Sequence, residues 1–316
     1  MSINQFVRCL VLVASGIFGS GMVAAQSAPC PTAGENNGFL GIETIRLWPG
    51  DAPQAKGKQC QDIPTLTVFE PAYGMSNGSA VIVVPGGSYK NLASVHEGRE
   101  LADWFTIHGF RAFILQYRLS SNGYLLPVPL LDARRAIQLV RARANDYHID
   151  PNRIGLLGFS AGGHLAALAS VQPAPGTPDA EDPTERVPSR PNFLMLAYPW
   201  IGAISADTSH LSYCKEFNLT DRCEELRKAY SPDLFVTKET PPTFWFHTTD
   251  DPVVPVEQGL RFYEALLKAG VPAEAHIFAH GPHGVGLGRG DAALEPWSVL
   301  LESWLRAQGF MGPLHR

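Results

Sequence analysis

The sequence predicts an α/β fold, a mostly parallel central sheet with helices on both faces. Two local observations carry that expectation. Short β-branched runs alternate regularly with longer amphipathic segments, and one run passes through a glycine-flanked serine directly into a helical pattern. The third observation is global: 316 residues, 45% hydrophobic and 17% charged, suffice for a full core, and no internal repeat or low-complexity linker divides the chain. One domain over residues 26–316 is the expectation.

The expected strands are 65–69, 80–84, 111–117, 154–158, 193–198, 243–247 and 275–278. Between the third and fourth, Ala133, Ile137, Val140, Ala144 and Tyr147 recur at steps of three and four and define the buried face of a helix. Arg134, Gln138, Arg141 and Asn145 form a separate polar stripe on it. The proline-rich stretch 172–191 is the one conspicuous irregular segment, and it is expected at the carboxyl edge of the sheet.

Residues 1–25 read as a signal peptide. Arg8 precedes the apolar run Cys9-Leu10-Val11-Leu12-Val13-Ala14, and Val23-Ala24-Ala25 supplies small residues for cleavage before Gln26. Ser15, Gly16, Gly19, Ser20 and Gly21 interrupt the run, which falls short of the roughly 18 apolar residues that span a membrane. A periplasmic or secreted protein with no membrane attachment after cleavage is expected. Loss of Cys9 with the leader reduces the five cysteines to an even number, and Cys30 with Cys60 and Cys214 with Cys223 are the favoured disulfides. A formal charge of −5, one unit more negative without Arg8, gives no basis for nucleic-acid binding.

The chemistry enters at Gly158-Phe159-Ser160-Ala161-Gly162. This G-x-S-x-G pentapeptide needs a strand before it and a helix after it, so that a cramped turn exposes the serine hydroxyl. Both are present. An acyl-transfer serine also needs a base, a group that orients the base, and donors for the oxyanion. The strand ending at His247 releases Asp250-Asp251, either of which can supply the carboxylate, and the strand ending at Phe278 releases His280-Gly281-Pro282-His283-Gly284. His283 is preferred as the base and His280 as a surface histidine. The order Ser, Asp, His is that of the α/β-hydrolase fold. Pro85-Gly86-Gly87-Ser88-Tyr89 follows the strand 80–84, and the amides of Gly87, Ser88 and Ala161 are the expected oxyanion donors.

Other motifs lead elsewhere. His96-Glu97-Gly98-Arg99-Glu100 starts like a zinc-protease helix but has Glu100 where a second histidine is required, so no metal is expected. Gly284-Val285-Gly286-Leu287-Gly288 lacks the acidic partner of a dinucleotide fold and reads as loop. No cofactor is expected.

The motifs Pro85-Gly86-Gly87-Ser88-Tyr89, His96-Glu97-Gly98, Tyr117-Arg118-Leu119, Asp150-Pro151-Asn152-Arg153-Ile154-Gly155 and Gly158-Phe159-Ser160-Ala161-Gly162-Gly163-His164-Leu165 resemble those of exported bacterial carbohydrate esterases of the α/β-hydrolase fold, the acetylxylan-esterase-like, xylanase-associated hydrolases. Arg190-Pro191, Asp251 with Val254-Pro255, and Gly281-Pro282-His283-Gly284 continue the match over roughly residues 80–305. The resemblance implies deacylation of xylan, xylo-oligosaccharides or related sugars bearing short acyl groups, acetyl first, by Ser160, His283 and Asp251. It chooses Asp251 over Asp250. It also shows a departure, since the family pattern has a third glycine where this chain has Ser88. An acylated carbohydrate is then the expected partner, with Tyr89 and Trp200 as stacking surfaces and the polar stretch 172–191 as a rim; an apolar lid from 205–219 is the competing arrangement. Feruloyl esterase or prolyl-oligopeptidase-like peptidase activity are the enzymatic alternatives, and an inactive carbohydrate-binding relic of the fold is the non-enzymatic one. The oligomeric state is not legible.

Overall fold

The computed structural model describes residues 43–205 and 212–312. Eight strands form one sheet: β1 (Thr44–Arg46), β2 (Thr65–Phe69), β3 (Ala80–Val84), β4 (Arg111–Gln116), β5 (Ile154–Phe159), β6 (Phe193–Ala197), β7 (Thr243–Thr248) and β8 (Ala273–Phe278). Their spatial order is β1-β2-β4-β3-β5-β6-β7-β8. β1 and β2 are antiparallel to their neighbours, and all strands from β4 to β8 are parallel. The seven expected strands are all present, and the three-residue edge strand β1 is the one the pattern did not reveal, being too short to show a period.

The central strands β3, β5 and β6 are buried at every position, as strands covered on both faces must be. Alternation sorts their side chains between two cores. Ala80, Ile82 and Val84 face one; Val81 and Val83 face the other. On the first face lie α2 (Val128–Ala142), α3 (Ser160–Val171) and α4 (Val256–Ala269). On the second lie α1 (Glu100–Ile107) and α5 (Pro296–Ala307). Each fully buried aliphatic or aromatic side chain is worth about 1.5–3 kcal/mol relative to exposure. The apolar face expected on α2 is in the core at all five positions, although the helix itself ends at Ala142 and Ala144 and Tyr147 follow in turns.

The chain leaves β3 toward β4 on one side and later crosses to β5 on the other. The carboxyl ends of β3 and β5 are therefore where the connections diverge, the position at which open α/β sheets form a crevice. Just beyond β4, the Arg118 guanidinium donates to both oxygens of Asp132 on α2 at 2.6–3.1 Å, and Arg118 N–H also reaches Oδ2 at 2.9 Å. Both side chains are essentially unexposed. Removing one partner of such a pair typically costs about 3–5 kcal/mol.

The stretch 172–191 corrects the sequence-based placement. Helix α3 begins at the carboxyl end of β5 and runs back, so its last residue, Val171, delivers the chain to the amino end of the sheet. There Asn192 N–H donates to Ile154 O at 2.7 Å at the start of β5, Arg141 reaches the Arg190 carbonyl at 2.8 Å, and Arg135 pairs with Asp182 at 2.5 Å. The stretch packs on α2, at the opposite end of the sheet from Ser160, and cannot form a rim for the site. The alternative lid, 205–219, lies partly outside the described residues. Cys214 and Cys223 form the expected disulfide. Cys60 is disulfide-bonded as well; its expected partner, Cys30, and the leader 1–25 lie outside the described residues.

Candidate active site

Three loops at the carboxyl ends of β5, β7 and β8 bring Ser160, Asp251 and His283 together. Ser160 opens α3 with φ 48°, a left-handed conformation that costs strain in a non-glycine residue and lifts the hydroxyl out of the turn. Close packing makes this turn possible. A Cβ on Gly162 would stand 2.1 Å from Val84 O and 2.4 Å from Pro85 O, so only glycine lets α3 start against the end of β3. Ser160 Oγ lies 2.8 Å from His283 Nε2, and His283 Nδ1 lies 2.7 Å from Asp251 Oδ2. A carboxylate only accepts, so Nδ1 carries the proton and Nε2 is free to accept from the serine.

Asp251 is well fixed. Its Oδ1 accepts from Val253 N–H at 2.8 Å and Val254 N–H at 2.9 Å. On its other side the buried His247 has Nε2 3.0 Å from Val254 O and 3.4 Å from Asp251 Oδ2. Burial raises the Asp251 pKa, but the hydrogen bonds from His247, His283 and Val254 outweigh it and hold the carboxyl well below the usual carboxylate range. The acid is ionised throughout the neutral range. Asp250, the neighbouring candidate, points to His280 Nδ1 at 2.8 Å on the exposed rim.

The loop after β3 crosses in front of Ser160. Ser88 has φ 56° and Tyr89 φ 59°, both left-handed. Glycine would hold the first of these without strain, which is the physical reason for a glycine at that position in the family pattern. Among the described residues no acceptor is bonded to the amides of Gly87, Ser88 or Ala161. The last also sits at the amino end of α3, where a developing negative charge is favoured.

Tyr89 and Trp200 do not form stacking surfaces. Both are 0% exposed. The Tyr89 hydroxyl donates to His164 Nδ1 at 2.7 Å, and His164 Nε2–H donates to Tyr230 O at 2.8 Å. Burial pushes His164 down to about 4, so it is neutral and this tautomer is consistent. Tyr89 is thus a pillar beneath the loop after β3, its side chain turned inward by the same positive φ. Trp200 follows β6, and its N–H donates to Ser160 O at 2.9 Å.

Sequence reasoning missed three contributors. His247 was read only as the last residue of a strand; its signal is its place four residues before Asp251. Glu97 and Tyr198 are buried beside the site, Glu97 Oε1 accepting from the Tyr198 hydroxyl at 3.0 Å. The Tyr198 ring stands edge-on to His283 with centroids 5.0 Å apart. For Tyr198 the available signal was a hydroxyl at the end of an apolar strand; Glu97, between His96 and Arg99, carried none.

Comparison with known proteins agrees with the fold. Residues 66–186 match the BD-FAE family and residues 187–305 the prolyl oligopeptidase family. An acetylxylan esterase from Xylanibacter ruminicola is 34% identical over 67% of this chain and 42% of its own length. Endo-1,4-beta-xylanase B from Butyrivibrio fibrisolvens is 30% identical over 72% of this chain and 36% of its own. The chain therefore spans less than half the length of these curated relatives. Among solved structures, an acetyl ester-xyloside bifunctional hydrolase from Caldicellulosiruptor lactoaceticus superposes with a TM-score of 0.75 at 38% identity, covering 85% of this chain and 97% of that one.

Proposed function

We propose, from the premise that this chain belongs to the acetylxylan-esterase-like family of α/β hydrolases, that it is a serine esterase removing short acyl groups, acetyl first, from xylan, xylo-oligosaccharides or related sugars. The observation that carries the reading is the continuous contact from Asp251 through His283 to Ser160, 2.7 and 2.8 Å, on three separate loops at one end of the sheet. Ser160 Oγ attacks the ester carbonyl carbon while His283 Nε2 takes its proton. The amides of Gly87, Ser88 and Ala161 receive the negative oxygen, and His283 returns the proton to the sugar oxygen as its bond to the acyl carbon breaks, leaving the acyl group on Ser160. Water then repeats the sequence on the acyl-serine, releasing the carboxylic acid. Asp251 holds the imidazole tautomer and its positive charge throughout.

A peptidase is the second reading, favoured by the prolyl oligopeptidase match over the half carrying Asp251 and His283. The similarity to an acetylxylan esterase and to an acetyl ester-xyloside hydrolase puts ester substrates first. An exported protein, cleaved before Gln26, fits a polymeric substrate, and no helix of the described residues is long and apolar enough to cross a membrane.

Rates on p-nitrophenyl acetate, butyrate and octanoate, with product analysis on acetylated xylan, feruloylated oligosaccharide and prolyl peptides, test the reading. Acetate should lead the series and acetylated xylan should release acetate. Preference for octanoate, feruloyl release without acetate release, or peptide cleavage without ester cleavage would each overturn it.

A further inference from the structure

Glu97, the acidic residue of the His96-Glu97 motif and a group the triad does not use, lies against both halves of the site. Val95–Arg99 form one π-helical turn ahead of α1, with Arg99 N–H donating to Ser94 O at 2.8 Å. Such turns displace side chains from the regular helical register and recur at functional sites. This one sends Glu97 into the interior, 3% exposed.

Its two oxygens serve two different loops. Oε2 accepts from Gly86 N–H at 2.8 Å, at the base of the loop bearing Gly87 and Ser88. Oε1 accepts from the Tyr198 hydroxyl at 3.0 Å, and Tyr198 Oη in turn accepts from Gly286 N–H at 2.9 Å, three residues beyond His283. The fit is close, since a Cβ on Gly86 would stand 2.7 Å from Glu97 Oε2. The titratable groups facing the carboxylate are His96, with Nε2 4.0 Å from Oε1, Tyr198, Tyr117 and His283. Burial raises the Glu97 pKa, opposed by the bonds from Gly86 and Tyr198. Donors on both oxygens are the pattern of the ionised form.

We propose that Glu97 is a positioning residue whose carboxylate clamps the oxyanion loop at Gly86 to the histidine loop at Gly286 through Tyr198, holding the hole and the base in one register. This rests on the serine esterase reading. The clamp acts on groups used in the transition state, so its loss should appear in kcat rather than KM.

The near-isosteric Glu97→Gln keeps the volume but offers one acceptor where two donors need one each. In the folded full-length protein, kcat per labelled site should fall about tenfold to hundredfold, the scale of a misplaced catalytic geometry, with KM changed less than about twofold. Phosphonylation of Ser160 by a fluorophosphonate should slow by a similar factor. The acid limb of the pH–rate profile should move to lower pH, because a negative charge near His283 favours its protonated form. Tyr198→Phe, which keeps the ring, should give a smaller loss of the same kind, and the double variant should lose less than the two combined. A residue that only stabilises the fold would lower Tm and the labelled fraction, leaving kcat per site and the acid limb unmoved. That result, or wild-type labelling rates in both variants, overturns the clamp. A wild type that takes the label but hydrolyses no ester overturns the esterase reading alone, and the labelling rates still decide the role of Glu97. One that takes no label overturns both.

Discussion

The loops after β7 and β8 carry two acid–imidazole pairs side by side, with nearly the same separation: 2.7 Å between Asp251 Oδ2 and His283 Nδ1, 2.8 Å between Asp250 Oδ2 and His280 Nδ1. Everything around them differs. The Asp251 side chain is 0% exposed and His283 is 15% exposed; Asp250 is 52% and His280 86% exposed. Asp251 is held by two further amides and faced by His247, whereas Asp250 accepts one amide, from Gly281. His283 continues to Ser160 and His280 stands in solvent. Two aspartate–histidine contacts of nearly equal length are therefore not equivalent. Exclusion of water strengthens the field of the carboxylate, and fixed donors prevent it from turning away, while the exposed pair is screened.

The comparison can be broken from its strongest side first. Ser160→Ala or His283→Ala should lower kcat on the order of a million-fold, and the two together should cost little more, since the groups act as a unit. Steady-state rates on a short p-nitrophenyl ester measure this; additive losses would contradict a shared step. Asp251→Asn should cost roughly ten-thousand-fold. On the outer pair, Asp250→Asn and His280→Ala should each leave kcat within about threefold, as surface changes away from such features usually do. A larger loss from Asp250→Asn than from Asp251→Asn in a folded variant would reverse the assignment.

The smallest effect concerns stability and pH. The Asp251 carboxyl is held below the ordinary unfolded value of about 3.9, so it contributes stability above that pH and loses the contribution as pH falls through its folded value. The denaturation midpoints of wild type and Asp251→Asn should therefore differ most near neutrality and converge as pH falls below about 4. Asp250 is also lowered, by its hydrogen bond from His280 and the Gly281 amide, but solvent screens it. Asp250→Asn should show the same trend with a smaller amplitude, and equal amplitudes would mean that burial does not distinguish the pairs.

Short apolar runs between segments of period three to four were enough to read seven strands and the α2 face in the sequence, because strands covered on both faces are continuous apolar runs and the helical period is imposed by backbone geometry. Ser160, Asp251 and His283 were legible for a related reason. A serine between glycines at a strand end, and an acid and a histidine just past two later strands, are local demands of the turn and of the sheet edge. Where a segment sits across the molecule is not local. The direction in which α3 returns the stretch 172–191, the left-handed φ that turns Tyr89 inward, and the burial of Trp200 beneath Ser160 all follow from packing between distant parts of the chain. So does the fate of Glu97. Next to His96 it reads as half a metal motif; only the meeting of β3, β6 and the loop after β8 gives its two oxygens the amide of Gly86 and the hydroxyl of Tyr198. A side chain's partners across 11 and 101 residues leave no period in the sequence, and the choice among them was made by the tertiary structure.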